Sequence, residues 1–311
     1  MRPFPSIVPS RPWSSPERLA TPEPAVLGCR AALEAAATVA LARPSQAALP
    51  PAVPGPDFGP HGAATAEEDA TTYNNFYEFG SHKGIWRAAQ RILLRPWVLS
   101  VEGMVDRPLT LDADDLLRRF PLEERTLRLR CVEAWAMVVP WTGFPLSALL
   151  AAAGPQAGAR YVAVEPAALP GVMPGLRQTW YPWPHRKGCT LAEAANPMAF
   201  LAVGMYGKPL PPQNGGPVRL LLPWKYGFKS GQSLVRIRLT DARPPTFWST
   251  LQPAEYGFWA NVNPEVAHPR WSQATERLLG TGERVPTRLF NGYGPWVAEL
   301  YGGRTDPALF R

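Results

Sequence analysis

The sequence predicts a single α+β domain, built from short strands and brief helices around mixed or antiparallel sheets. Three observations lead there. Proline supplies 38 of the 311 residues, more than twice the usual share of about 5%. Proline removes an amide donor and breaks helix interiors, which excludes helical bundles, solenoids and zippers. Glycine (26) and tryptophan (12) add turns and bulky packing. Apolar residues come in short alternating runs between Pro/Gly turns, with no repeat period. With 46% hydrophobic and 18% charged residues, the chain can bury a core and is neither a disordered polyelectrolyte nor a coiled coil.

The elements follow in order. The segment 97–103 alternates and ends in Gly103, as a strand does. Leu109–Asp112 reads as a strand, leading through an Asp-capped start into a short helix that ends at Arg119. Thr126–Cys131 alternates strictly, with Leu127, Leu129 and Cys131 on one face and Arg128 and Arg130 on the other. Residues 144–150 read as a short helix with Pro145 near its first turn. Strands are expected at 161–165, 199–204, 218–222 and 233–239, and a brief helix at 191–195.

The first 72 residues differ in texture. Residues 1–47 are proline-rich and contain an apolar run over 25–42, interrupted by Arg30 and Glu34. That makes a poor membrane span. Two readings fit: an export signal with Ser45-Gln46-Ala47 as a small-residue cleavage site, or a surface helix after an irregular leader. Residues 48–72 read as a Pro/Gly/Ala linker, and 73–311 as the folded domain.

The net charge is +7. Five lysines occur, so arginine, the better fork for phosphate and carboxylate, carries most of the positive charge. No lysine-rich arm, zinc finger or RNA-binding signature accompanies it, which argues against a nucleic-acid binder. The basic residues are scattered, so a solvated surface is the expectation for any single arginine.

Cys29, Cys131 and Cys189 form no disulfide framework and no CxxC pair. His61, His82, His185 and His268 are far apart, which disfavours a zinc site made of protein ligands alone. Cys131 ends an apolar strand face and has three readings. It is a small buried hydrophobe, a nucleophile paired with His82, His185 or His268, or one thiolate on a soft metal whose other ligands come from a cofactor. Arg128 and Arg130 point away from it, so a cation near the thiol must come from elsewhere in the fold. Two segments suit an anion: 210–220, a turn rich in amide donors running into a strand with Arg219, and 224–233, with Lys225, Lys229 and hydroxyls. Each could equally be a polar hairpin loop. Neither is a dinucleotide fingerprint or a P-loop. The segment 73–80 is dense in aromatic and amide groups, fit either to pack on the core or to hydrogen-bond a heterocycle.

Together these segments resemble the molybdopterin catalytic subunit of bacterial periplasmic protein-methionine-sulfoxide reductase, in the sulfite oxidase fold group. The matching stretches are YNNFYEFG (73–80), RRFPLEER (118–125), LRCVEAWAMVVPWTGFPL (129–146), YGKPLPPQNGGPVRLLLPWKYGFKS (206–230), RPPTFW (243–248), EYGFWANVNPEVAHPRWSQATERLLG (255–280) and PTRLFNGY (286–293). The resemblance implies a sulfite oxidase-type fold and a molybdenum-molybdopterin cofactor in its mononucleotide-free form. It implies Cys131 as catalytic residue and metal ligand. Asn74, Tyr77 and Glu78 match pterin-side contacts, and Asn214 and Arg219 match contacts to the pterin and its phosphate. Ser230, Gly231 and Gln232 match a loop that offers backbone groups. The implied activity is reduction of methionine sulfoxide in periplasmic proteins. Electrons would come from a haem-b membrane subunit fed by quinol. The alternatives are a related molybdenum enzyme acting on another S-oxide or oxyanion, and a homologue that binds without a cofactor.

The sequence departs from the family pattern in three places. The leader lacks the twin arginine of a folded-protein export signal, with Glu23 and Pro24 standing there, so the cytoplasm is the alternative to the periplasm. Pro166 replaces a threonine that contacts the cofactor. Gly231-Gln232 replace an aliphatic residue and a lysine, which removes a charged phosphate contact. The segment 166–190, with Cys189, matches poorly.

Overall fold

The computed structural model describes residues 48–59, 62–304 and 306–311. The leader expected over 1–47, with Cys29, lies outside the described residues.

Residues 48–311 form one compact unit, and the stretch read as a linker belongs to it. Strand β1 (Val53–Pro54) pairs in parallel with the start of a later strand, Val53 opposite Glu123. Helix α1 (Glu67–Thr72) buries Ala70 completely. Phe58 is also in the core, and Leu49 packs against it. Composition suggested a linker because prolines and alanines dominate. A few well-placed apolar side chains and two ladder bonds are enough to dock it, Val53 N–H to the Leu122 carbonyl (3.0 Å) and Gly55 N–H to the Glu124 carbonyl (2.9 Å).

After α2 (Trp86–Ala89), strands β2 (Val98–Gly103) and β3 (Leu109–Asp112) form a hairpin. Asp112 then caps α3 (Ala113–Arg119), accepting from the Asp115 amide at 2.6 Å, which satisfies a donor the helix start leaves open. The long hairpin β4 (Glu123–Cys131) and β5 (Trp135–Pro145) follows. Helix α4 (Leu146–Ala153) starts directly after Pro145 and stops at Gly154, whose φ of 69° few other residues adopt. Next come β6 (Tyr161–Pro166) and β7 (Lys187–Thr190). A Thr190–Glu193 capping box then opens α5 (Leu191–Ala195). The remaining elements are β8 (Phe200–Met205), β9 (Lys208–Pro209), β10 (Arg219–Leu221), β11 (Leu234–Thr240), α6 (Phe247–Leu251), β12 (Thr275–Leu278), β13 (Arg284–Pro286) and α7 (Gly294–Val297).

The strands build two mixed sheets, one of eight strands centred on β4, β5 and β8, and one of five in the order β3-β2-β11-β6-β7. The result is the expected α+β architecture of mixed sheets with short helices. One large apolar cluster takes side chains from both sheets, including Leu99, Val101, Val164, Ile237, Trp141 and Leu220.

The arginines on β4 are where the expectation of a solvated face fails. The alternation is real, but both faces are buried from Leu127 onward. Arg128 and Arg130 are 4% and 0% exposed, and both pair with Glu276 of β12, which is itself 0% exposed. Further bonds complete the cluster. Arg128 Nε donates to Asn291 Oδ1 (3.2 Å), Arg130 donates to Gln273 Oε1 (2.7 Å), and Thr287 Oγ1 donates to Glu276 Oε2 (3.2 Å). Burying two cations is costly unless they are paired and hydrogen-bonded.

Replacing Glu276→Gln leaves two buried guanidinium groups facing a neutral amide. Urea unfolding should show a loss of about 3–5 kcal/mol. A loss near that of an exposed pair, under about 1 kcal/mol, would mean the cluster is not the anchor described.

Candidate active site

β4 ends at Cys131, and the chain reverses through Val132–Ala134 into β5, with Cys131 opposite Trp135. Ala134 takes a φ of 60° and donates its amide to the Cys131 carbonyl at 3.2 Å, which makes the reversal tight. The thiol therefore stands at a hairpin tip, on the floor of a cavity of about 670 Å³.

Polar groups gather around the sulfur. Asn75 Nδ2 lies 3.3 Å and the Glu133 amide 3.4 Å from Cys131 Sγ. Glu133 Oε2 is 3.8 Å away and accepts from Trp135 Nε1 (3.2 Å) and Asn75 Nδ2 (3.3 Å). Lys83 forms an ion pair with Glu133 and donates to Asn75 Oδ1. Lys83 supplies a cation from elsewhere in the fold, but Arg130, expected to point away, also lines the cavity and donates to the Cys131 carbonyl. No histidine is hydrogen-bonded to Cys131 among the described residues, so the cysteine–histidine reading finds no support. Burial, and then the Glu133 charge, push the thiol up to about 12 against the pull of the Glu133 amide, Lys83 and Arg130. Burial acts to raise the Glu133 carboxyl, but Lys83, Trp135 and Asn75 outweigh it and hold the carboxyl below its usual range.

The cavity lining also carries buried cations. The segments 210–220 and 224–233 pack directly on each other. A Cβ on Gly215, where φ is 95°, would lie 2.8 Å from Gln232 Cβ, and the Leu220 amide donates to the Gly231 carbonyl at 2.8 Å. This brings Asn214, Arg219, Ser230 and Gln232 to one wall. Asn74 and Asn214 both donate to the Ala70 carbonyl, at 3.4 and 2.9 Å. Among the described residues their amide oxygens have no hydrogen-bond partner, and neither do Arg219 Nε and His185 Nε2. Arg219 donates to the Asn214 carbonyl (2.7 Å) and lies over Trp141, but pairs with no carboxylate among the described residues. Burial pulls its guanidinium down to about 10.

Of the residues singled out from sequence, the cavity brings together Cys131, Asn74, Tyr77, Asn214, Arg219, Ser230 and Gln232. Glu78 is 2% exposed and does not line it. Its carboxylate faces His185 Nδ1 at 3.6 Å. Gly231 lies behind the wall, against Leu234 and Val164. Pro166 closes β6, away from the lining, and the following Ala167 amide bonds the Ser233 carbonyl at 2.9 Å. Sequence reasoning passed over Asn75, Lys83, Glu133 and Lys187, and named His185 only as a possible base for Cys131. Asn75 and Glu133 sit inside the matching stretches, so they were within reach. His185 and Lys187 fall in the poorly matched segment.

Residues 87–248, more than half of the chain, match the oxidoreductase molybdopterin-binding domain family. The chain belongs to that family. Among solved structures, the sulfane dehydrogenase SoxCD from Paracoccus pantotrophus is similar over 53% of this chain and 42% of that one, at 22% identity and a TM-score of 0.43. The match spans less than half of that protein's length.

The residues present fit molybdopterin. A ring system rich in donors and acceptors would meet the unpartnered oxygens of Asn74 and Asn214, since buried polar atoms without partners are rare in finished sites. A phosphate would meet Arg219, a buried cation that pairs with no carboxylate among the described residues. A soft metal would meet the Cys131 sulfur, whose Asn75 and Glu133 N–H donors favour the thiolate.

Because burial and Glu133 hold the thiol protonated, Cys131 of the metal-free chain should react with iodoacetamide at least about 100-fold more slowly than free cysteine near pH 7.5. Glu133→Gln removes the second cause and should speed the reaction. Peptide mapping of the alkylated chain measures both. A rate equal to that of free cysteine would contradict this electrostatic account.

Proposed function

We propose that the protein reduces methionine sulfoxide in other proteins to methionine, through a molybdenum-molybdopterin cofactor in its mononucleotide-free form. The observation that carries this reading is the lining of one cavity, which brings together a single thiol and a buried guanidinium that pairs with no carboxylate among the described residues. The motifs around Cys131 and the adjoining anion-friendly turns support the same reading. When bound, the group supplies two-electron oxygen-atom transfer to and from sulfur. The net reaction consumes two electrons and two protons and yields the thioether and water.

The chain's own residues would hold and surround that group. Cys131 would hold the metal through its sulfur, with Asn75 and the Glu133 amide orienting the sulfur. Lys83 and Glu133 form the ionisable pair beside it and can hold or pass a proton at Glu133 Oε2. Asn74, Tyr77 and Asn214 would hold the pterin, and Arg219 and Ser230 the phosphate. Aromatic side chains line the cavity, Tyr181, Trp248, Tyr256 and Trp271 among them, and Trp180 is 69% exposed at its edge. Such a rim suits a sulfur side chain, because sulfur packs favourably at ring edges. It also suits a side chain presented from another protein, since the site is an open cavity rather than a sealed one.

The sequence resemblance supports a haem-b membrane subunit as electron donor and the periplasm as location, and both belong to the proposal. A fusion of residues 1–50 to a periplasmic reporter tests the location.

Metal analysis is the first test. The chain purified after expression with cofactor supply should carry close to one molybdenum per chain, and content far below that would count against the reading. With reduced viologen as donor, the loaded protein should reduce an oxidised protein substrate, and Cys131→Ala should abolish that activity. Asn75→Ala, which removes a donor to the sulfur, should cost on the order of 10- to 100-fold in activity or metal retention. Turnover of small S-oxides alone would redirect the substrate assignment.

A further inference from the structure

The cavity holds a second buried cation beside Arg219. Lys187 opens β7 and is 5% exposed, close to the 7% of Arg219, and both line the same cavity. Its ammonium donates once, to the His185 carbonyl at 2.7 Å, and a lysine has three donors. No carboxylate lies within ion-pair distance of Lys187 among the described residues. The nearest candidate, Glu78, faces His185 instead. Burial, with Arg219 adding repulsion and Glu78 opposing it, pulls the lysine down to about 8.

The neighbouring loop packs beside this side chain. A Cβ placed on Gly231 would lie 4.0 Å from Lys187 Cδ and already 2.9 Å from Leu234 Cδ2. The lysine stem therefore passes over a glycine, between Ser230 and Gln232, which both face the cavity. Two desolvated cations in one cavity, with no carboxylate in ion-pair distance of either among the described residues and only Glu78 acting on Lys187 from farther away, are an expensive arrangement that an anion would complete.

We propose that Lys187 and Arg219 together form a two-cation phosphate subsite, with Lys187 as the anchor that the neutral Gln232 cannot provide. The proposal rests on the reading above for the identity of the ligand, the cofactor's terminal phosphate, but the subsite itself is a property of the chain.

The probe is inorganic phosphate, titrated calorimetrically into the full chain freed of cofactor. Wild type should bind it. Lys187→Met should weaken binding at least about tenfold, Lys187→Arg should retain most of it, and Lys187→Met with Gln232→Lys should recover it, because the charge returns to the same wall. Circular dichroism confirms folding of each variant. If Lys187→Met does not fold, Lys187→Gln takes its place. Phosphate binding unchanged by loss of Lys187, or absent from wild type, overturns the proposal. Molybdenum content of wild type separates the two readings. Phosphate binding through Lys187 in a chain that never acquires molybdenum would leave the subsite standing and remove the proposed function.

Discussion

Glu276 sits where the back of β4 would otherwise meet water, and its carboxylate takes both Arg128 and Arg130. An edge or half-exposed strand could not carry Cys131 to the floor of a deep cavity. β4 has to be covered on both faces, and its sequence puts two guanidinium groups on the face away from the thiol. The carboxylate from β12, with Asn291, Gln273 and Thr287, turns that unfavourable face into a satisfied layer. The hairpin tip at Val132–Ala134 then has a rigid base, and the positions of Asn75, Glu133 and Lys83 around the sulfur follow from it.

The cavity treats its charges unevenly. Around the thiol, charges are balanced locally: Lys83 answers Glu133, and amide donors answer the sulfur. Elsewhere in the lining they are not balanced: among the described residues Arg219 pairs with no carboxylate, and two asparagine oxygens have no hydrogen-bond partner. A protein interior normally removes such deficits. Their concentration in one place, on loops held together by close contact at Gly215, marks what the fold leaves for a ligand to complete.

Much of this was legible along the chain. The alternation over 126–131 placed Cys131 and the two arginines on opposite faces, and Asp112 and Pro145 announced the helices that follow them. Long-range pairing was not legible. Glu276 comes from a late strand, and although it lies inside the matching stretch 255–280, nothing local says that it will meet β4. Asn74 and Asn75 show the same limit at short range. They are adjacent in sequence, yet extended backbone sends one to the Ala70 carbonyl and the other to the sulfur. Proline and alanine content hid the docking of residues 48–72, because composition records how flexible a segment is when isolated and not what it finds to pack against.

The grip of Asn74 and Asn214 on the Ala70 carbonyl ties the segment 48–72 to the cavity wall. A cut at Tyr73 would remove the oxygen that both asparagines hold and uncover the edge of β4. The wall facing the pterin would then lose its alignment before any ligand arrived, so the short proline-rich approach to the domain is part of the site it leads to.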